Sequence, residues 1–100
     1  MKEHDLKTWP YEFSAVAEGT KRFEYRVDDG RNFEVGDVLI LHEWQPAPLC
    51  NRTTEGPGEY TGRVLRAYVT FLLRGPAFGV PIGFVVMSIL PDPLGEPWRT

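Results

Sequence analysis

The sequence predicts an α+β chain that is mainly β: a small, partly open β-barrel with one main helix near the N-terminus. Three observations carry this. Residues 21–27 (KRFEYRV) alternate strictly between apolar and charged, the period of a strand. Residues 37–44 (DVLILHEW) are apolar on both faces at first, which suits a central or curled strand. A single stretch, 10–18, has helical spacing, with Phe13, Val16 and Ala17 at i, i+3 and i+4. A sheet this small buries its apolar face by curling, with the helix plugging one side. The 100 residues fit a single domain, with a core over about 4–90 and a Pro-rich tail, 91–100.

The elements follow in order. Residues 4–7 form a short opening strand. Thr8 is a candidate N-cap and Pro10 sits in the first turn of the helix over 10–18. Gly19 falls where a left-handed C-terminal residue is expected. After strand 21–27, Asp28-Asp29-Gly30 is a turn signal. On that strand Phe23, Tyr25 and Val27 share one face, and Arg22, Glu24 and Arg26 the other. In strand 37–44, Val38, Ile40, His42 and Trp44 oppose Leu39, Leu41 and Glu43, and the pattern does not say which set faces inward. Prolines and glycines make 45–59 a loop. A long strand over 60–74 follows, with Val64, Ala67 or Tyr68, Val69, Phe71 and Leu73 expected inward and a bulge near Arg66. Residues 75–82 form an apolar loop, and 83–90 the last strand.

Composition narrows the function. Net charge is −3 and the pI about 5.3. Residues 1–45 hold 6 Lys/Arg against 10 Asp/Glu. A protein lying along a duplex carries a basic face, so a nucleic-acid ligand here is expected to be local: one base, one nucleoside or a short single strand. No apolar run approaches the roughly 20 residues of a membrane helix. The charged start, MKEHDLK, does not read as a signal peptide. Cys50 is the one cysteine, so no internal disulfide forms, and the clustering that a metal site requires is missing. A cytoplasmic, cofactor-free protein is expected, with a monomer favoured. Nucleophile-elbow, phosphate-loop, dinucleotide-binding and H-E-x-x-H patterns are absent.

The segment richest in chemistry is Gly19-Thr20-Lys21-Arg22-Phe23-Glu24-Tyr25-Arg26. Glu24 and Arg26 project from one sheet face, with Lys21 at the strand entrance. A carboxylate beside a guanidinium reads a base edge or holds a lysine in place. The same residues equally describe an exposed strand face with a weak surface ion pair. Periodicity alone leaves both open.

These residues resemble a known family. The G-x-K-x-x-E-x-R signature (Gly19, Lys21, Glu24, Arg26) after a helix resembles that of the ASCH domain, a relative of the PUA fold. The wider pattern is similar to the small bacterial and phage proteins of the DUF3850 subgroup. It runs through His4-Asp5-Leu6-Lys7-Thr8, Phe33-Glu34-Val35-Gly36-Asp37, Glu43-Trp44, Tyr60-Thr61-Gly62-Arg63 and Val85-Val86-Met87-Ser88-Ile89. The resemblance implies a PUA-like barrel with a cleft between barrel and helix suited to RNA or a nucleotide. Some ASCH members are similar to amidohydrolases acting on N4-acetylcytidine, and others to ribonucleases. In the amidohydrolases the signature lysine, here Lys21, is taken as catalytic, with a threonine where this chain has Glu24.

Two readings follow. In the first, a binding module holds a short RNA or modified nucleoside. Lys21 and Arg26 take phosphate or carbonyl oxygens, Glu24 an amino group, and Trp9 or Trp44 stacks on a base. His4, Lys7, Tyr60 and Arg63 complete the candidate ligand-binding set. In the second, a hydrolase uses Lys21 with Glu24 or Glu43 as charge stabiliser and base. A Lys21 in contact with a carboxylate in a pocket favours chemistry; an open Lys21 disfavours it. His4 and His42 also read as structural histidines, and Glu43 as a rim carboxylate paired with Arg63. Phe78 and Val80 either cap an open end of the barrel or form an interaction patch.

Overall fold

The computed structural model describes residues 1–46 and 58–92. Its elements are β1 (Glu3–Thr8), α1 (Pro10–Glu18), β2 (Phe23–Val27), β3 (Val38–Gln45), β4 (Glu59–Arg74) and β5 (Phe84–Pro91). The strands form one sheet in the order β1-β3-β4-β5-β2. β1 and β3 run parallel, and the other neighbours antiparallel. The sheet curls into a half-barrel, so its two edge strands approach each other across a seam. Side chains bridge that seam: Arg26 Nη2 donates to the Lys7 carbonyl at 3.2 Å and Arg31 Nη1 to the Asp5 carbonyl at 3.0 Å. These carbonyls lie on the outer edge of β1, where no strand pairs with them.

The helix forms as its spacing predicts. Phe13 and Val16 are fully buried, and Ala17 packs against the same core. Gly19 ends the helix at φ +83°, donating to Val16, a conformation a β-carbon would strain. Thr8 is not the cap. Trp9 holds that position without a side-chain hydrogen bond, and Thr8 closes β1 with its side chain buried. The core beneath the helix holds Phe33, Leu39, Leu41, Ala67, Val85 and Met87. Leu39 and Leu41 face in, so the opposite set on β3, Ile40, His42 and Trp44, turns outward.

Two bulges reset the phase of the long strand. The expected irregularity at Arg66 lies instead between Val69 and Phe71, and a second falls between His42 and Trp44, where Gly62 stands opposite with φ +94°. Leu65, Ala67 and Val69 therefore face inward and Leu72 packs on the core, whereas the expected Val64, Phe71 and Leu73 do not. Phe78 does not cap the barrel; it is 91% exposed. The middle of loop 45–59, with Cys50, and most of the tail lie outside the described residues. Among the described residues no helix is long and apolar enough to cross a membrane.

Asp37 ties the start of the chain to the turn before β3. It is buried and accepts from the Lys2 N–H at 3.0 Å, the Glu34 N–H at 3.0 Å and the His4 ring at 2.8 Å. Burial works against its charge, but these hydrogen bonds and the nearby Lys2 outweigh that and hold its pKa below the ordinary aspartate value. Gly36 supplies the positive φ for the turn, and Phe33 anchors it in the core. The F-x-V-G-D segment is thus a structural clasp.

Candidate functional site

β2 is turned inside out relative to an ordinary amphipathic strand. Phe23, Tyr25 and Val27 are each about half exposed, while Glu24 is 1% exposed. The charged face is the inward one, so the exposed ion-pair reading of this strand does not hold. A buried carboxylate needs partners, and Glu24 has two. Arg26 Nε donates to Oε1 at 2.8 Å, and Lys21 Nζ lies 3.5 Å from Oε2. The lysine also donates to Glu12 Oε1 at 2.7 Å, from the first turn of α1. Arg26 continues to Thr8 Oγ1 at 3.4 Å and to the Lys7 carbonyl. The result is one chain of contacts, Glu12–Lys21–Glu24–Arg26–Thr8, joining helix, β2 and β1.

This chain floors a groove of about 630 Å³ between α1, the end of β1 and the start of β2. That volume suits a small-molecule or single-nucleotide ligand. Trp9, Tyr11, Phe23 and Tyr25 contribute to its walls. Trp9 and Tyr11 are 56% and 83% exposed, so their rings are open to a stacking partner. The Lys21 ammonium also sits 5.2 Å from the centre of the Phe23 ring. Three cations (Lys7, Lys21, Arg26) and two carboxylates (Glu12, Glu24) line the groove, so its local balance is positive in an acidic protein.

Of the candidate residues, Lys7, Lys21, Glu24 and Arg26 come together here. Glu43, Trp44, Tyr60 and Arg63 assemble next door, on β3 and β4. Glu43 is buried and stands in register with Thr8 of β1. It accepts from Thr61 Oγ1 at 2.7 Å and pairs with Arg63 at 3.5 Å. The two glutamates thus engage different partners. Trp44 lies on the outer face, under the Lys7 ammonium at 4.1 Å and 6.4 Å from Trp9. Tyr60 pairs with Trp44 across the strands and meets His42 edge-on. His42 bonds Asp5 at 2.8 Å. His4 lies at the other end of β1, against Phe33 and bound to Asp37, roughly 13 Å along the strand from Thr8. It is a structural histidine. Among the described residues no group of three or more His, Cys, Asp or Glu is placed to hold a metal.

Sequence reasoning missed five groove residues, Thr8, Tyr11, Glu12, Phe23 and Tyr25, the last two placed on the strand face opposite Glu24 and Arg26. Glu12 reads from sequence as an ordinary acidic residue in a helix's first turn. Thr8 reads as a cap. Tyr11 carries no pattern at all. No signal short of the fold brings them to Lys21.

The family model for a domain of unknown function, DUF3850, matches residues 3–89. A relative in Escherichia phage P2, described as an uncharacterized 12.9 kDa protein in the GpA 3' region, is 42% identical over 69 residues. The match takes in 69% of this chain and 52% of the relative, so it spans about half of that protein's length. The motifs now have physical roles. H-x-L-K-T is β1, held through His4 to the Asp37 clasp, while E-W and Y-T-G-R meet across β3 and β4 at Glu43. With the family match running from the first residue of β1 into β5, the chain belongs to the DUF3850 family.

Proposed function

We propose that this protein binds a short single-stranded RNA or a modified nucleoside in the groove between α1, β1 and β2. On this reading the half-barrel is of the PUA-like kind that the ASCH resemblance implies. The observation that carries the proposal is the inverted face of β2. Glu24 is buried beneath an open groove with both oxygens engaged. It therefore positions the two cations, and its remaining lone pairs can take an amino group. Lys21 directs two contacts at carboxylates, leaving one of its three N–H bonds for a ligand oxygen. Trp9 and Tyr11 supply exposed rings on which a base stacks. Anisotropy of a labelled oligoribonucleotide of about six bases, read at low salt, tests this. Binding should weaken on adding salt and fall by about 10-fold or more in Lys21→Ala, about the size of one charge-assisted contact. Absence of binding by both the oligomer and free nucleosides would sink the proposal.

One observation favours chemistry as a second reading. Lys21 contacts two carboxylates and its side chain is 16% exposed, the arrangement expected of a charge stabiliser beside a base. Glu12, the more open carboxylate at 45%, is positioned to take a proton from water while Lys21 stabilises the developing oxyanion. Release of cytidine from N4-acetylcytidine, lost in Lys21→Ala and in Glu12→Gln, would establish a hydrolase. Binding without turnover would leave the protein a binding module.

A further inference from the structure

The inversion of β2 leaves an apolar surface that starts at the groove wall, at Phe23 and Tyr25, and reaches well beyond it. Its apolar side chains continue an outer surface across three strands. In register, Phe23 aligns with Ser88 and Phe71, and Tyr25 with Val86 and Leu73, while Val27 aligns with Phe84. Leu90 extends the surface at one end, and Ile82 and Phe78 of the β4–β5 loop at the other. Phe71, near the middle, is 65% exposed, and Leu90 and Ile82 are 52% and 77% exposed.

We propose that this face is the interface of a homodimer, in which the outer surface of β4, β5 and β2 packs on the same surface of a second copy. Three observations select a copy of this chain as the occupant. The first is size. At the observed exposures, the four aromatics present roughly 500 Å², and the aliphatic side chains bring the face to roughly 700–800 Å². That equals the area a stable interface takes from each partner, about 800 Å², and exceeds the roughly 300–600 Å² of the largest patch on a typical monomer.

The second is charge. The outward positions of these rows (Phe23, Tyr25, Val27, Phe84, Val86, Ser88, Leu90, Phe71 and Leu73) include no charged side chain. The charges lie at its margins, Lys21 beside Phe23 and the Arg66–Asp92 pair beyond Leu90, so the occupant of its middle is itself apolar. Two copies of a chain of net charge −3 meet on this face without like charges opposed.

The third is readiness for burial. Two hydroxyls at the face satisfy each other, Thr70 Oγ1 lying 2.8 Å from Ser88 Oγ and within 3.2 Å of the Ser88 carbonyl. Tyr25 and Phe84 are already stacked at 5.4 Å, so little freedom is lost on association. Sheet faces that pack on one another lie about 10 Å apart, and an isologous contact relates the two copies by a two-fold axis. The face shares Phe23 and Tyr25 with the groove wall, whereas Phe71 and Leu90 lie outside the groove and test the interface separately from any ligand.

Sedimentation equilibrium on the intact chain, from about 1 to 200 μM, tests it. The expected result is a mass rising from 11.4 kDa towards twice that value. Phe71→Glu places a carboxylate near the middle of the interface and should weaken association about 100-fold or more, the scale of a central interface residue. Leu90→Glu, at the end of the face, should weaken it about 10-fold, with circular dichroism and melting of the monomer unchanged in both. A mass that stays at the monomer value across the range overturns the proposal. So does a dimer that survives both substitutions, which would place the interface elsewhere. If Phe71→Glu fails to fold, Leu90→Glu together with concentration-dependent amide protection of β4 and β5 decides the matter.

Discussion

Glu24→Gln separates the two ways of reading the charged face of β2. On an exposed strand the ion pair would contribute about 0–1 kcal/mol, and the substitution would go almost unnoticed. In the structure the carboxylate is buried between Arg26 at 2.8 Å and Lys21 at 3.5 Å. Glutamine keeps one oxygen for Arg26 Nε but loses the charge on that bond, and its amide group turns a donor toward the Lys21 ammonium. A hydrogen bond to a charged group is worth about 1.5–3 kcal/mol, roughly twice a neutral one. Two effects reduce the loss: neutral glutamine is easier to desolvate than carboxylate, and both cations keep other partners in Glu12, Thr8 and the Lys7 carbonyl. The net expectation is a destabilisation of about 2 kcal/mol. For a domain of this length that is a fall in Tm of about 8–16 °C. Urea denaturation measures it directly, as a lower midpoint at unchanged slope. A change below about 0.5 kcal/mol would refute the argument, because it would mean the carboxylate is not held as a buried charge.

Other predictions follow from the same geometry. Asp37 carries a lowered pKa, so the unfolded chain takes up the proton first as pH falls. Its contribution to stability is fully present above the ordinary aspartate pKa of about 3.9 and is lost as pH drops from there through the lowered folded value. Asp37→Asn should flatten this part of a stability-against-pH curve and lower stability at neutral pH by about 1–3 kcal/mol through the lost acceptor. Gly75→Ala should cost about 2 kcal/mol or more in denaturant unfolding, because a β-carbon there overlaps the Pro81 carbonyl, which is backbone. Arg26→Lys should weaken ligand binding and the seam together, since an ammonium cannot hold Glu24, Thr8 and the Lys7 carbonyl in one plane. Trp9→Ala should weaken binding of a short oligoribonucleotide by about 5-fold or more while leaving the melting temperature near its original value, because the ring is mostly exposed.

Local periodicity was enough to locate each element, because each has its own period and punctuation. Pro10 and Gly19 bound the helix, and the alternation through Arg26 marks β2. The facing of strands was legible only where one side is polar for want of a partner. In β2 the usual inference from alternation puts Phe23, Tyr25 and Val27 inside. The curled sheet reverses that, because Lys21 and Arg26, the latter also bonded to Thr8, neutralise Glu24 within the mouth of the half-barrel. Phase in β4 was hidden by a bulge at Val69/Phe71, whose position depends on pairing with β5 and not on any residue type. Lys21, Glu24 and Arg26 were legible as a site because they are close in sequence. Glu12 and Tyr11 were not, since only the helix's return across the groove brings them there.

The seam between β1 and β2 has a consequence for motion. A closed barrel has no low-energy route to opening, since each strand is held by a ladder that breaks cooperatively. Here Asp5 and Lys7 are joined to the opposite edge by Arg31 and Arg26 side chains, and a guanidinium leaves its partner by a rotamer change alone. The gap can therefore widen without unpairing any strand, and its width sets the shape of the groove that Arg26 also lines. Widening the groove then takes the turn of a latch rather than the melting of a sheet. Backbone amides facing the seam should exchange with solvent far faster than those buried in the pairing of β3 with β4.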